Sequence, residues 1–103
     1  MATPELEAFI DETIRVSHAH GYNPTVFVGM RFQLGTVAAI TKLVESPDIQ
    51  SGFKRLATLG LLDHTIEAAV LRFPDEFPVR TRECAEFRLG LARAHYANSV
   101  TAP

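Results

Sequence analysis

Three features of this sequence predict an all-α fold, a compact bundle of about six mostly short helices. Apolar residues recur three and four positions apart in nearly every segment. Glycine and proline interrupt those segments too often for long helices, apart from the last. No strand pattern survives: Val26-Phe27-Val28 is flanked by proline and glycine and has no partner run.

The first helix is announced by Thr3 as N-cap, Pro4 at the first helical position and acidic Glu5 and Glu7 in the first turn. Leu6, Phe9, Ile10, Thr13 and Ile14 form its inward stripe, and it should end at His20 with Gly21 as C-cap. Tyr22-Asn23-Pro24-Thr25 is a turn whose proline also suits a helix start. Phe27, Met30, Arg31 and Leu34 then follow at helical spacing until Gly35 breaks the run. Thr36 is the expected cap of a third helix, Val37 to Glu45, with Val37, Ile40, Leu43 and Val44 inward. Ser46-Pro47-Asp48 is a turn, and Ile49 leads into the next pair.

That pair, Ser51 to Phe73, organises the chain. Phe53, Leu56 and Ala57 share one helix face, while Lys54, Arg55 and Thr58 face water. Gly60 ends the first member. Asp63 is the expected N-cap of the second, with Leu62 stapling onto Ile66 and Glu67 near the positive end of the dipole. Ile66, Val70 and Phe73 form its stripe, and Pro74 stops it. Phe77 pins the following loop to the core. The last helix should be capped by Thr81 and run from Arg82 to about Ala97. It carries two stripes, Ala85-Leu89-Ala92-Tyr96 and Cys84-Phe87-Leu91-Ala94, so it is either buried on two sides or used for pairing. Residues 1–97 read as one domain and 98–103 as a polar, frayed tail.

Composition bounds the function. A chain of 103 residues can bury roughly two-thirds of its unfolded surface, enough to fold without staples. The net charge of −2 gives no global field to draw it to nucleic acid or membrane. Cys84 is the single cysteine, no signal segment opens the chain and no apolar run reaches membrane length, so a cytoplasmic protein is expected.

Gly21-Tyr22-Asn23-Pro24-Thr25, then Phe27, Met30, Gly35, Val37, Ala39 and Leu43, make one ordered set. Gly52-Phe53, Leu56, Gly60, Leu62-Asp63, Thr65, Glu67 and Val70 make a second. Together they resemble an uncharacterised family of small helical bacterial domains, over roughly residues 6–91. Arg31-Phe32, usually polar there, and His64, usually apolar, depart from its pattern. The resemblance implies fold and cell type, and carries no activity, cofactor or catalytic residue.

Catalytic candidates are thin. His18 and His20, two apart on a helix, point in nearly opposite directions, and no H-x-x-x-H, H-E-x-x-H or C-x-x-C exists, so no metal or cofactor is expected. Cys84 lies near Arg80 and Arg82, which would lower its pKa, but no positioned base can be named, and a buried thiol explains it more simply. Asp63 and Glu67 share a face yet have ordinary work as cap and dipole partner.

Two functional expectations remain. The first is a non-enzymatic protein-interaction or regulatory module that binds a protein partner or itself through the last helix, with Tyr22, Phe32, Phe77, Phe87 and Leu91 as contact residues. The second is a nucleic-acid-binding accessory protein, with a helix-turn-helix-like pair around Gly60 and an arginine cluster of Arg80, Arg82 and Arg88. Against the second, the reading helix has Arg72 as its one basic residue, and Glu83 and Glu86 interleave the arginines.

Overall fold

A computed structural model describes the backbone of residues 2–47 and 51–101, and the side chains of residues 2–47 and 52–95. Among them are six helices and no strand: α1 (Pro4–Ala19), α2 (Thr25–Leu34), α3 (Thr36–Val44), α4 (Ser51–Thr58), α5 (Ile66–Arg72) and α6 (Val79–Thr101). Short 3-10 turns, Leu62–His64 and Pro74–Glu76, lead into α5 and α6. The all-α bundle is as the periodicity predicts. Asp48, Ile49 and the side chain of Tyr96 lie outside the described residues.

Thr3 caps α1 as expected, its hydroxyl accepting the Leu6 N–H at 3.2 Å. The same hydroxyl donates to Glu76 at 2.6 Å, and the Thr3 N–H donates to the other Glu76 oxygen at 2.8 Å. One carboxylate thereby ties the start of α1 to the turn before α6. Along α1 the buried residues are Leu6, Ile10, Thr13 and Ser17, the last outside the predicted stripe. Thr13 and Ser17 satisfy their hydroxyls on the helix itself, donating to the carbonyls of Ile10 at 2.8 Å and Thr13 at 2.7 Å.

Two helices end in the same way. After α1, the Tyr22 N–H reaches the Ser17 carbonyl at 2.9 Å and the Gly21 N–H reaches that of His18 at 3.0 Å. After α4, Leu61 reaches Leu56 at 2.8 Å and Gly60 reaches Ala57 at 3.1 Å. Both are Schellman motifs, which need a left-handed residue at the turn, and Gly21 (φ 82°) and Gly60 (φ 74°) supply it.

Three expected caps are overturned. Asp63 does not cap α5: it sits in the 3-10 turn, outward, 3.3 Å from Arg93. Thr65 does the work, buried, accepting the Ala68 N–H at 3.0 Å and donating to the Leu62 carbonyl at 2.8 Å. Thr36 is already inside α3 and its hydroxyl is taken by Glu7 and Arg31. Thr81 lies inside α6, its hydroxyl donating to Glu45 at 2.5 Å. In the last two a carboxylate from another helix outcompetes the local backbone for the hydroxyl. α6 therefore starts earlier than predicted, and it runs on to Thr101, past Ala97.

The core gathers Leu6 and Ile10 of α1, Phe27 of α2, Ala39, Ile40, Leu43 and Val44 of α3, Ala69 and Val70 of α5, Phe77, and Ala85 of α6. The helix α5 has seven residues and would be marginal alone. It packs against α1, α3 and α6 at once, so tertiary burial holds it. At its end Phe73 meets Phe9 edge-on, 5.8 Å between centroids, and Arg72 lies 5.1 Å over the Phe9 ring.

Candidate functional site

Glu67 and Arg88 form the electrostatic centre of the bundle. Glu67, in the first turn of α5, is 1% exposed, and Arg88 of α6 is 5% exposed. Arg88 Nη1 donates to Glu67 Oε2 at 3.1 Å and to the Leu43 carbonyl at 3.0 Å, and Nη2 donates to the Ser46 carbonyl. One guanidinium thus closes the end of α3, where helix carbonyls lack partners and a cation is favoured, and neutralises a carboxylate on α5. Burial pushes the Glu67 carboxyl up, and its own backbone N–H and Arg88 pull it back only in part. Glu67 Oε1 has no hydrogen-bond partner on another residue.

Glu67 lines a cavity of about 110 Å³ between α1, the Tyr22–Pro24 turn, the end of α3, α4 and α5. Its walls are mainly apolar, with Ile14, Phe27, Leu43, Phe53, Leu56 and Ile66, and the hydroxyls of Thr13 and Ser17 interrupt them. His64 also lines it, and its buried Nδ1 has no partner. Tyr22 and the exposed Val26 form part of the lining. The Tyr22 hydroxyl presses against α4 at Gly52, where a Cβ would collide with it, so any side chain at this position would have to displace the Tyr22 ring. The half-buried position pushes the Tyr22 phenol up.

The predicted contact residues separate into three groups. Phe32 is 91% exposed on α2, and Phe87 and Leu91 are exposed on α6. Tyr22 is half-buried in the cavity wall. Phe77 is a correction: at 5% exposure it is core, pinning the loop as its other reading has it, and it has no surface to offer a partner. The arginine cluster divides too. Arg80 is exposed and 3.4 Å from Glu45, Arg82 is half-buried, and Arg88 is the core staple, unavailable to phosphate. The pair around Gly60 is α4 and α5, joined through the 3-10 turn; Glu67, Ala69 and Val70 of the second helix are buried.

Sequence reasoning missed the Glu67–Arg88 pair. The signal was present: Arg88 falls three residues after Ala85 and four before Ala92, inside the inward stripe.

On α6 the outward face carries Phe87, Leu91 and the small residues Gly90 and Ala94, opposite the buried Thr81, Ala85, Arg88 and Leu89. A groove of about 290 Å³ separates Phe53 and Ala57 of α4 from Leu91 and Ala92. Among the described residues no group of three or more His, Cys, Asp and Glu side chains is placed to hold a metal ion, and no helix is long and apolar enough to cross a membrane. No family model, no curated protein and no solved structure matches the chain.

Proposed function

We propose that this chain is an interaction module that pairs with a second copy of itself through the outward face of α6. The observation that carries the reading is that face: Phe87 and Leu91, one turn apart, stand exposed with Gly90 and Ala94 beside them. Helix pairing rewards large side chains next to small ones, because the large ones find holes. Charge favours a copy of the same chain. Glu86 and Arg93 lie on one flank, nearly symmetric about the midpoint between Phe87 and Leu91. Two antiparallel α6 helices crossing there would set each Glu86 against the other's Arg93.

The nucleic-acid reading has less support. Of its three arginines, Arg80 alone is fully exposed, and Glu45 lies beside it.

Sedimentation equilibrium over a range of concentrations tests the proposal. The expected result is a mass twice that of the monomer, returning to monomer in Leu91→Arg and unchanged in Phe32→Glu on α2. A monomer mass at every concentration, or a dimer indifferent to Leu91→Arg, would overturn it.

A further inference from the structure

The cavity beside Glu67 carries an inference independent of self-association. Buried polar atoms without partners are rare in folded proteins, and each asks for an explanation. Here two residues that carry such atoms, Glu67 (Oε1, with no partner on another residue) and His64 (Nδ1), line the same cavity, and Glu67 is 99% removed from solvent. The inner hydroxyls have already spent their protons on carbonyls within α1, so Thr13 and Ser17 offer lone pairs only. An ionised Glu67 Oε1 likewise accepts. The Tyr22 hydroxyl and the His64 ring are the donors the lining holds, and neither is hydrogen-bonded to Glu67 Oε1, so that oxygen lacks a donor.

Charge and size narrow the class. Glu67 is neutralised by Arg88 through Oε2, so a charged ligand would leave an uncompensated charge among mainly apolar walls. The cavity volume of about 110 Å³ lies below that of a cavity that takes benzene, about 150 Å³. The apolar walls of Ile14, Phe27, Leu56 and Ile66 suit a short hydrocarbon body.

We infer that this cavity binds a small neutral amphipathic molecule, a short-chain alcohol or primary amide, whose donor is accepted by Glu67 Oε1 and whose apolar body lies against Ile14 and Ile66. Glu67 sets the polarity of the site, and His64 is positioned to make the second polar contact.

The test compares n-butanol with 2-butanone, similar in size but lacking the donor, by NMR titration of the Ile14 and Ile66 methyl groups and the His64 ring. Butanol should give saturable shifts at these three residues, and butanone should bind at least about tenfold more weakly, the discrimination of one unmade buried hydrogen bond. In Glu67→Gln the amide can keep Arg88 on its oxygen and present its NH2 to the cavity, so the preference for butanol should fall to within about threefold. Ile14→Trp, which fills the space from a half-buried position, should remove the butanol shifts at Ile66 and His64, and it keeps the test decisive if Glu67→Gln does not fold. Equal binding of the two probes by the wild-type chain would overturn the inference. So would the absence of saturable shifts, meaning that the cavity holds only water, or shifts that survive Ile14→Trp.

Discussion

Arg88 and Arg31 make the same kinds of contact in two different media. Arg88 reaches Glu67, the Leu43 carbonyl of α3 and the Ser46 carbonyl just beyond it, from a position 5% exposed. Arg31 of α2 reaches Asp11 at 2.9 Å, Glu7 at 2.8 Å and the Thr36 hydroxyl at 3.0 Å, at the edge of the fold, where Asp11 is open to solvent. Each guanidinium gathers three groups from two other parts of the fold, Arg88 from α5 and the end of α3 and Arg31 from α1 and α3, and so closes a gap between helices. The two differ in the consequence of losing the contact. At the surface, water replaces the missing partner. In the core nothing does, so the remaining charge is stranded. Burial makes the same chemistry a determinant of whether the chain folds, and exposure makes it an adjustable latch.

The largest expected effect comes from breaking the buried pair. Arg88→Ala should cost about 3–5 kcal/mol in urea unfolding, because it leaves the Glu67 carboxylate and the carbonyls of Leu43 and Ser46 without their donor. Replacing both charges, Arg88→Met with Glu67→Leu, should recover much of that loss, since no ion is then stranded. The contrast between the two arginines fails if Arg88→Ala costs no more than Arg31→Ala.

Arg31→Ala should cost about 1 kcal/mol, near the upper end for exposed ion pairs, because several groups converge on it. The loss should be local. Faster amide exchange in α2, with the α5–α6 amides unchanged, is the expected signature. Equal acceleration in α5 would mean that the latch and the core are one cooperative unit.

How much of this was legible in the sequence obeys the same division. The helix ends were legible at Gly21 and Gly60 because a Schellman turn is a local demand that glycine meets. The faces of α1 and α4 were legible because Leu6, Ile10, Phe53 and Leu56 obey the helical period. Thr36 and Thr81 were misread as caps because carboxylates from elsewhere in the chain, Glu7 and Glu45, take their hydroxyls, and nothing local reports that. Asp63 reads as a cap by residue type alone, whereas the chain first makes the 3-10 turn Leu62–His64 and α5 starts only after Thr65, whose hydroxyl accepts the Ala68 N–H. Of the site, the apolar spacing of the cavity wall could be read. The pairing of Glu67 with Arg88, 21 residues away, could not, since periodicity places Arg88 inward without naming its partner.

Acid separates the two regions by sign. The Thr36 hydroxyl first, and then Arg31, hold the Glu7 carboxyl below the usual carboxylate range. Its folded pKa is thus lower than its unfolded one, so it stabilises the fold above about pH 4.3, and that contribution is lost as pH falls through the folded value. Glu67 is the reverse. Burial raises its folded pKa above the unfolded one, so its contribution is present below about pH 4.3 and lost as pH rises through the folded value. Urea midpoints measured from acid to neutral pH should therefore show Glu7→Gln losing less stability on acidification than the wild type. Glu67→Gln should gain on the wild type as pH rises. If both variants shift in the same direction, the burial argument for Glu67 is wrong.

Salt should produce the smallest difference and the cleanest one. Screening shortens from about 10 Å at 0.1 M to about 3 Å at 1 M, but only where ions can enter. Asp11 is open to solvent beside Arg31, so raising the salt should shrink the cost of Arg31→Ala by a few tenths of a kcal/mol, about half of a surface pair's worth. Arg88 borders the groove between α4 and α6 but is only 5% exposed, its guanidinium turned onto Glu67 and the carbonyls of Leu43 and Ser46, so ions in solution should screen it little. Arg88→Lys keeps the charge but cannot reach Glu67, Leu43 and Ser46 together with a planar fork, so it should be destabilising by the same amount at both salt concentrations. Such independence would show that the buried arginine acts through hydrogen-bond geometry in a dry site. A cost of Arg88→Lys that falls with salt would instead mean that water and ions reach the Glu67–Arg88 pair, and the distinction between core and latch would then be one of degree.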